Sequence, residues 1–413
     1  MAAVRPAPGG TFVSDRRRKF SLRATTVGCV LFAGAVPVPA VAAPLADSAV
    51  LPQISTALDG TKCVKHSSRT ARATPWPQKL LGIEKAHPLS EGRGVTVGVV
   101  DGGLDASVPA LAGRAAGTGK DCSGHGTFLA GVVAAARTPD IGFEGVAPQA
   151  RIVGAAVEAE GYGGDADPDA VAAGIRATIG HGARVVLVGV GAARSSGALK
   201  SALAYAQDKD VVVVAGAGTE SRSHGISYPA AYPRVVSVAA VNVAGAPPGG
   251  DARQAAATGG ATVRVDLTAP GDRVLSVGPG GGHFTGSGDP VAAAFVAGTA
   301  ALVRARDPQL SADAVRERLR ATAVRGSGAV PDAVTGYGMV DPEGAVAALR
   351  PGEGTGAPGK GSVAAAYQAD QPPPQVASGP VWAMAGGVAA VAAVAALLAV
   401  VIPRGRARGW RAP

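Results

Sequence analysis

The residues best suited to chemistry are an aspartate and a histidine 24 positions apart. Asp101 closes the run VTVGVVD and is followed by Gly102-Gly103. An acid at the end of a buried strand, with the chain turning tightly after it, can sit at the rim of a cleft. His125 stands between Gly124 and Gly126 in DCSGHGTFLAG, just ahead of a helical pattern that starts near Thr127. Flanking glycines let other backbone approach an imidazole closely. An acid and an imidazole are the parts of a general-base pair, in which a carboxylate orients the ring that accepts a proton. Taken singly, each residue has a plainer reading: a turn aspartate after a strand, and a structural histidine.

Those side chains need a scaffold. Short apolar runs at Val95–Val100, Ile152–Val157, Val185–Val190, Val211–Ala215, Val235–Ala239 and Val263–Leu267 are valine-rich, with almost no apolar–polar alternation. That pattern marks strands buried on both faces. Helical patterns at 127–136, 168–179 and 196–208 fall between them. The alternation predicts an α/β fold, a parallel sheet with helices on both faces. Asp167-Pro168, Asp289-Pro290 and Asp341-Pro342 each read as a helix start, with Asp as N-cap and Pro at the first helical position.

The Asp101 and His125 segments resemble the aspartate and histidine motifs of subtilases, the S8 family of serine peptidases. Gly142 to Pro148 (GFEGVAP), Tyr228 to Pro233 (YPAAYP) and Ala269-Pro270-Gly271 are similar to further landmarks of that family. Within it the chain most resembles mycosins, serine proteases associated with type VII secretion. Trp76-Pro77-Gln78, Leu81-Gly82, Pro88-Leu89-Ser90 and Asp121-Cys122 carry that likeness, with the N-terminal segment and a C-terminal membrane helix. The resemblance covers residues 43 to about 402. It implies a subtilisin-like domain over 76–350, in which Asp101 orients His125, His125 takes a proton from a serine, and an Asn side chain helps hold the oxyanion.

Two catalytic positions depart from the family pattern. Reading back without gaps from Val296-Ala297-Gly298 places Gly288, Asp289 and Pro290 where the family has Gly-Thr-Ser. Proline has no hydroxyl, so the nucleophile position is empty of chemistry. After VVVVAGAG the family's Asn is replaced by Thr219. Loss of such an oxyanion donor typically costs about 2.7–4 kcal/mol of transition-state stabilisation. Leu187 and Gly189 also stand where the family usually has Asn and Ser. The substrate-binding edge strand 185–191 is still expected to persist, since its backbone does the pairing. Ser287, three residues before Pro290, is a possible surrogate nucleophile; the plainer reading is a solvated serine in a glycine-rich loop. Two functions follow: an impaired subtilase homologue that binds extended peptide or braces a secretion complex, or an active endopeptidase using Asp101, His125 and a displaced Ser287. No cofactor or metal is expected. Asp165, Asp167 and Asp169 suggest calcium by type, but read better as a loop leading into a capped helix. His224 and His283 read as solvated loop residues, and Tyr228 and Tyr232 as packing residues.

The two ends explain the net charge of +9. Residues 1–42 carry +5 and residues 404–411 carry +4, so residues 43–402 are neutral overall. The basic pI is therefore a property of the ends, and nothing in the sequence argues for nucleic acid as a partner. Arg16 to Lys19, the apolar stretch Val27–Val36 and Ala40-Val41-Ala42 read as a signal peptide over 1–42. An N-terminal extension, 43–75, leads to the domain. Residues 351–380 form a Gly/Pro-rich linker. Residues 381–402 are uncharged and, at 1.5 Å per residue, long enough (roughly 33 Å) for a transmembrane helix. The basic tail 403–413 is then cytoplasmic and the main domain extracytoplasmic. Removing the signal leaves two cysteines, Cys63 and Cys122. In an oxidising compartment a pair invites a disulfide that staples the extension to the domain; two separate buried thiols are the alternative.

Overall fold

The valine-rich runs form strands because nothing in them pairs with water on either face. The computed structural model describes residues 51–54, 63–118, 120–157, 165–218, 227–248, 263–326, 330–348 and 404. Seven strands lie among them: β1 (Thr96–Asp101), β2 (Ala115–Gly117), β3 (Arg151–Ala156), β4 (Val185–Val188), β5 (Val212–Gly216), β6 (Val236–Val241) and β7 (Leu267–Pro270). They make one sheet in the order β2-β3-β1-β4-β5-β6-β7, and every pairing is parallel. Val97 pairs with Ile152 on one side and Val185 on the other, so β1 is central. An antiparallel hairpin, β8 (Val274–Val277) with β9 (His283–Gly286), stands apart from this sheet.

Although the strand residues do not alternate in polarity, they alternate in direction. Val97, Val99, Leu187, Val212 and Val214 join one core cluster with α3 (His125–Ala134) and the long helix α6 (Asp289–Arg306). Val100, Val186, Val188 and Val213 join a second with α4 (Pro168–Gly180) and α5 (Gly197–Asp208). Helices therefore cover both faces. The helix α6 is buried from Pro290 to Arg304, as an all-round apolar helix must be. Short helices α1 (Trp76–Leu81), α2 (Ile83–Ala86) and α8 (Pro342–Ala347), and the amphipathic α7 (Ala312–Ala321), complete the described helices.

Three expectations need correction. Asp167 and Asp341 do cap their helices, accepting the Asp169 amide (3.2 Å) and the Gly344 amide (2.9 Å). Asp289 does not: its helix is preceded by Gly288, whose φ of 118° favours glycine, and the aspartate lies inside the first turn. The strand expected at Val263–Leu267 begins at Leu267 instead. Arg264 is tied to Asp266 (2.6 Å) and to the Ala230 and Tyr232 carbonyls, which makes a polar corner rather than a ladder. Finally, β4 is no edge strand, since β1 and β5 flank it.

The N-terminal extension straps the hairpin. The Ile54 amide donates to the Thr285 carbonyl (2.7 Å), and the Thr285 amide to Pro52 (2.9 Å). Farther along, Cys63 is disulfide-bonded to Cys122, and the Val64 amide donates to the Cys122 carbonyl (2.9 Å). The His283 amide donates to the Arg69 carbonyl (2.8 Å), while the Ala71 amide donates to His283 Nδ1 (2.9 Å). His283, expected to be solvated, is thus buried in this seam with its ring edge against Phe143, and burial lowers its pKa. No helix among the described residues is long and apolar enough to cross a membrane. The expected signal 1–42, linker 351–380 and membrane helix 381–402 lie outside the described residues, as does the 403–413 tail apart from Arg404.

Candidate active site

Asp101 is the last residue of β1, at the carboxyl rim of the sheet. Strand order reverses around β1, and open parallel sheets bind ligands at the carboxyl ends beside such a switch point. His125 opens α3. The two meet there, with His125 Nδ1 2.8 Å from Asp101 Oδ2. Asp101 is 2% exposed and His125 6%, so the pair is held away from bulk water. Asp101 Oδ1 accepts the Gly102 amide (2.8 Å), which fixes the carboxylate plane.

Glycine is needed on both sides of this pair. Gly124 has φ 76°, and a Cβ on Gly126 would collide with the Gly103 carbonyl and press on Asp101. The flanking glycines of the motif are therefore explained by close backbone approach. Gly189 has no room either: a Cβ there would strike Asp101 Oδ2 and Leu129.

A second acid supports the imidazole, one to which sequence reasoning gave no role. Asp121 Oδ2 accepts the Thr127 amide (2.7 Å), and Oδ1 accepts the Gly124 amide (2.8 Å) and the Ser123 hydroxyl (3.2 Å). These are the first amides of α3, so Asp121 fixes the helix start that carries His125. Burial raises the Asp121 pKa, and the nearby Asp101 charge pushes the same way, against the bond from Thr127. The signal was present in the sequence as an acid four residues before the histidine.

The gapless reading assigned the nucleophile position to Pro290. Pro290 sits in the first turn of α6 and lines a small hollow with Gly189, Gly216, Gly218, Ser227 and Pro229. That hollow opens at the ends of β4 and β5, and its Gly189 abuts Asp101. Ser227, buried and unremarked in the sequence, contributes a hydroxyl-bearing residue to its wall. The Asp289 carboxyl points away from its own helix. Oδ2 accepts the Gly218 amide (2.7 Å) and Oδ1 the Ala240 amide (2.8 Å), so one acid ties the end of β5 to β6. Burial pushes its pKa up, and the two amides only partly offset this. Thr219, the expected oxyanion residue, lies outside the described residues, as does His224. Ser287 precedes α6, and its hydroxyl accepts the Arg273 amide at 2.8 Å. Tyr228 and Tyr232 pack ring to ring at 5.1 Å. Chemically, the arrangement supplies an oriented imidazole at a sheet rim and no hydroxyl from position 290.

Comparisons with known proteins agree with this geometry. The model of the subtilase family matches residues 92–338. Mycosin-1 of Mycobacterium tuberculosis is 33% identical over 368 residues, covering 74% of this chain and 79% of that protein. Subtilisin of Bacillus pumilus is 34% identical over 243 residues, covering 56% of this chain and 84% of that protein. The crystal structure of MycP1 with its N-terminal propeptide removed has a TM-score of 0.57 and 28% identity, covering 68% of this chain and 98% of that one. MycP3 protease from the type VII (ESX-3) secretion system has a TM-score of 0.56 and 28% identity, covering 73% of this chain and 98% of that one. The chain therefore belongs to the subtilase family, and within it to the mycosin type.

Proposed function

We propose that this protein is a mycosin-like subtilase homologue of a type VII secretion system that has lost its nucleophile, and that it works as a structural or peptide-binding component. One observation carries the reading. α6 opens with Asp289 and Pro290, the latter at the position that the gapless reading assigns to the nucleophile, and Asp289 accepts the Gly218 and Ala240 amides. Acyl transfer needs a nucleophile hydrogen-bonded to its base and donors aimed at the developing oxyanion. Proline offers no such group. Asp289 also occupies the Gly218 amide, one residue before Thr219. Ser287 is engaged by Arg273 rather than by the imidazole, which disfavours its use as a surrogate.

The retained Asp101–His125 pair and the strand ends around Gly189 support a cleft that still accepts extended peptide by backbone pairing. The signal 1–42 and the span 381–402 support anchoring in the cell membrane with the domain outside and the basic tail inside. The type VII context rests on Mycosin-1, MycP1 and MycP3. The reading is tested with a fluorophosphonate probe on the purified protein. The expected result is no labelling and no casein hydrolysis, with co-purification of secretion-system membrane proteins. Labelling that disappears in Ser287→Ala would restore the peptidase reading.

A further inference from the structure

On the other rim of the sheet, at the amino ends of β1, β2 and β3, the surface opens into a hollow of about 900 Å3. The run of β1 from Thr96 to Asp101 separates it from the catalytic pair by roughly 16 Å. Arg93, Arg114, Arg137 and Arg151 line it, and Glu91 is the one carboxylate among the lining residues. Each arginine comes from a different piece of chain: Arg93 and Arg114 from the turns before β1 and β2, Arg151 from the start of β3, and Arg137 from the segment after α3.

The charges here are not balanced. Arg137 is paired with Glu144 (2.9 Å) and lies 3.8 Å from Glu91, whose other bond is from Gln149. Arg114 is half-buried and donates to the Ala110 and Ala150 carbonyls (2.9 Å each). It has no carboxylate partner among the described residues, and burial lowers its pKa. A cation stripped of water with only neutral acceptors favours an incoming anion. Arg93 and Arg151 are exposed and form no ion pair among the described residues. Four guanidinium groups against Glu91 and Glu144 leave a local positive excess in a region, 43–402, that is neutral overall.

We propose that this hollow binds an acidic segment of a partner polypeptide, one carrying several carboxylates. Guanidinium forks take carboxylates in a bidentate manner. The arginines are spread over separate pieces of chain, which suits several spaced charges better than one compact ion. The site is concave, so a flat lipid surface cannot reach its floor, where Arg114 is fixed. This face is independent of the catalytic rim, and the proposal stands whether or not the protein hydrolyses peptides.

The test uses the full-length protein in detergent and a fluorescein-labelled hexaglutamate peptide, read by anisotropy. Binding is expected, and is expected to weaken as salt rises. Arg93→Glu with Arg151→Glu should weaken it by roughly tenfold or more. Both residues are exposed, so the fold tolerates the change; an unchanged thermal midpoint checks this. Arg176→Glu, on α4 and outside the hollow, should bind as the wild type does. No binding by the wild type overturns the proposal, as does equal binding by the double variant, or equal loss in Arg176→Glu. Binding to phosphatidylglycerol vesicles that the double variant loses, without peptide binding, would instead make the hollow a lipid site and also overturn it.

Discussion

On the proposed reading, the adjacent Asp289 and Pro290 bear on catalysis in different ways, and this can be measured. Pro290 brings no hydroxyl to the position assigned to the nucleophile; Asp289 bonds the Gly218 amide, one residue before Thr219. Pro290→Ser alone is therefore expected to restore little peptide hydrolysis. Adding Thr219→Asn should raise the rate by roughly 10²–10³-fold through the regained donor, and Asp289→Thr should raise it further. Full restoration by Pro290→Ser alone would show that the other two substitutions are harmless. Asp289 also holds structure. Asp289→Asn turns an amide N–H toward a backbone N–H, and should destabilise the protein by about 1–3 kcal/mol, read as a shift in urea midpoint. The pH dependence has a definite sign. Burial raises the folded-state pKa of Asp289 above 3.8. The folded chain then binds its proton more tightly than the unfolded chain does. That contribution is fully present below the unfolded value and is lost as pH rises through the folded one. The advantage of wild type over Asp289→Asn should accordingly be largest in acid and shrink as pH rises. An advantage that grows with pH would mean that the two amides outweigh burial.

Among the elements, the strap made by residues 52–54 and 63–72 deserves a stability test of its own. It adds backbone hydrogen bonds to β9 and the loop before it, and is pinned at one point by Cys63–Cys122, 59 residues apart. Replacing both cysteines with serine removes the constraint on the unfolded chain and should cost about 2–4 kcal/mol. The readout is the urea midpoint, together with faster amide exchange at Val64 and Ser67. An unchanged midpoint would mean that the hydrogen bonds alone hold the strap. The other elements were legible to different degrees. Runs such as Val185–Val188 declared themselves, because burial on both faces demands continuous apolar sequence. β2 did not, since Ala115-Ala116-Gly117 has neither length nor apolar bulk and becomes a strand by pairing with β3. The β8–β9 hairpin was missed for the same reason: its partners are each other and the strap.

Considered as a whole, the protein carries two separate surfaces on opposite rims of one sheet. The carboxyl rim holds the Asp101–His125 pair and Pro290; the amino rim holds the arginine-lined hollow. A chain tethered by 381–402 would present both to partners outside the membrane. Truncation after residue 380 is expected to release the domain from the membrane fraction into the extracytoplasmic soluble fraction, followed by immunoblotting. Persistence in the membrane fraction would place the anchor elsewhere.

The amino-acid sequence by itself determined the α/β class, and its resemblance to subtilases implied the pairing of Asp101 with His125 that the structure shows. The first rests on local information, unbroken apolar runs; the second rests on motifs shared with the family. Tertiary structure decided what Asp289 does, because its partners Gly218 and Ala240 are 71 and 49 residues away. The same holds for His283, whose burial depends on Arg69, Ala71 and Phe143, and for the hollow, whose four arginines come from four separate pieces of chain. An aspartate before a proline looks like a helix cap in any sequence; whether its carboxyl turns back to its own helix or outward to two strands depends on what the fold brings within reach.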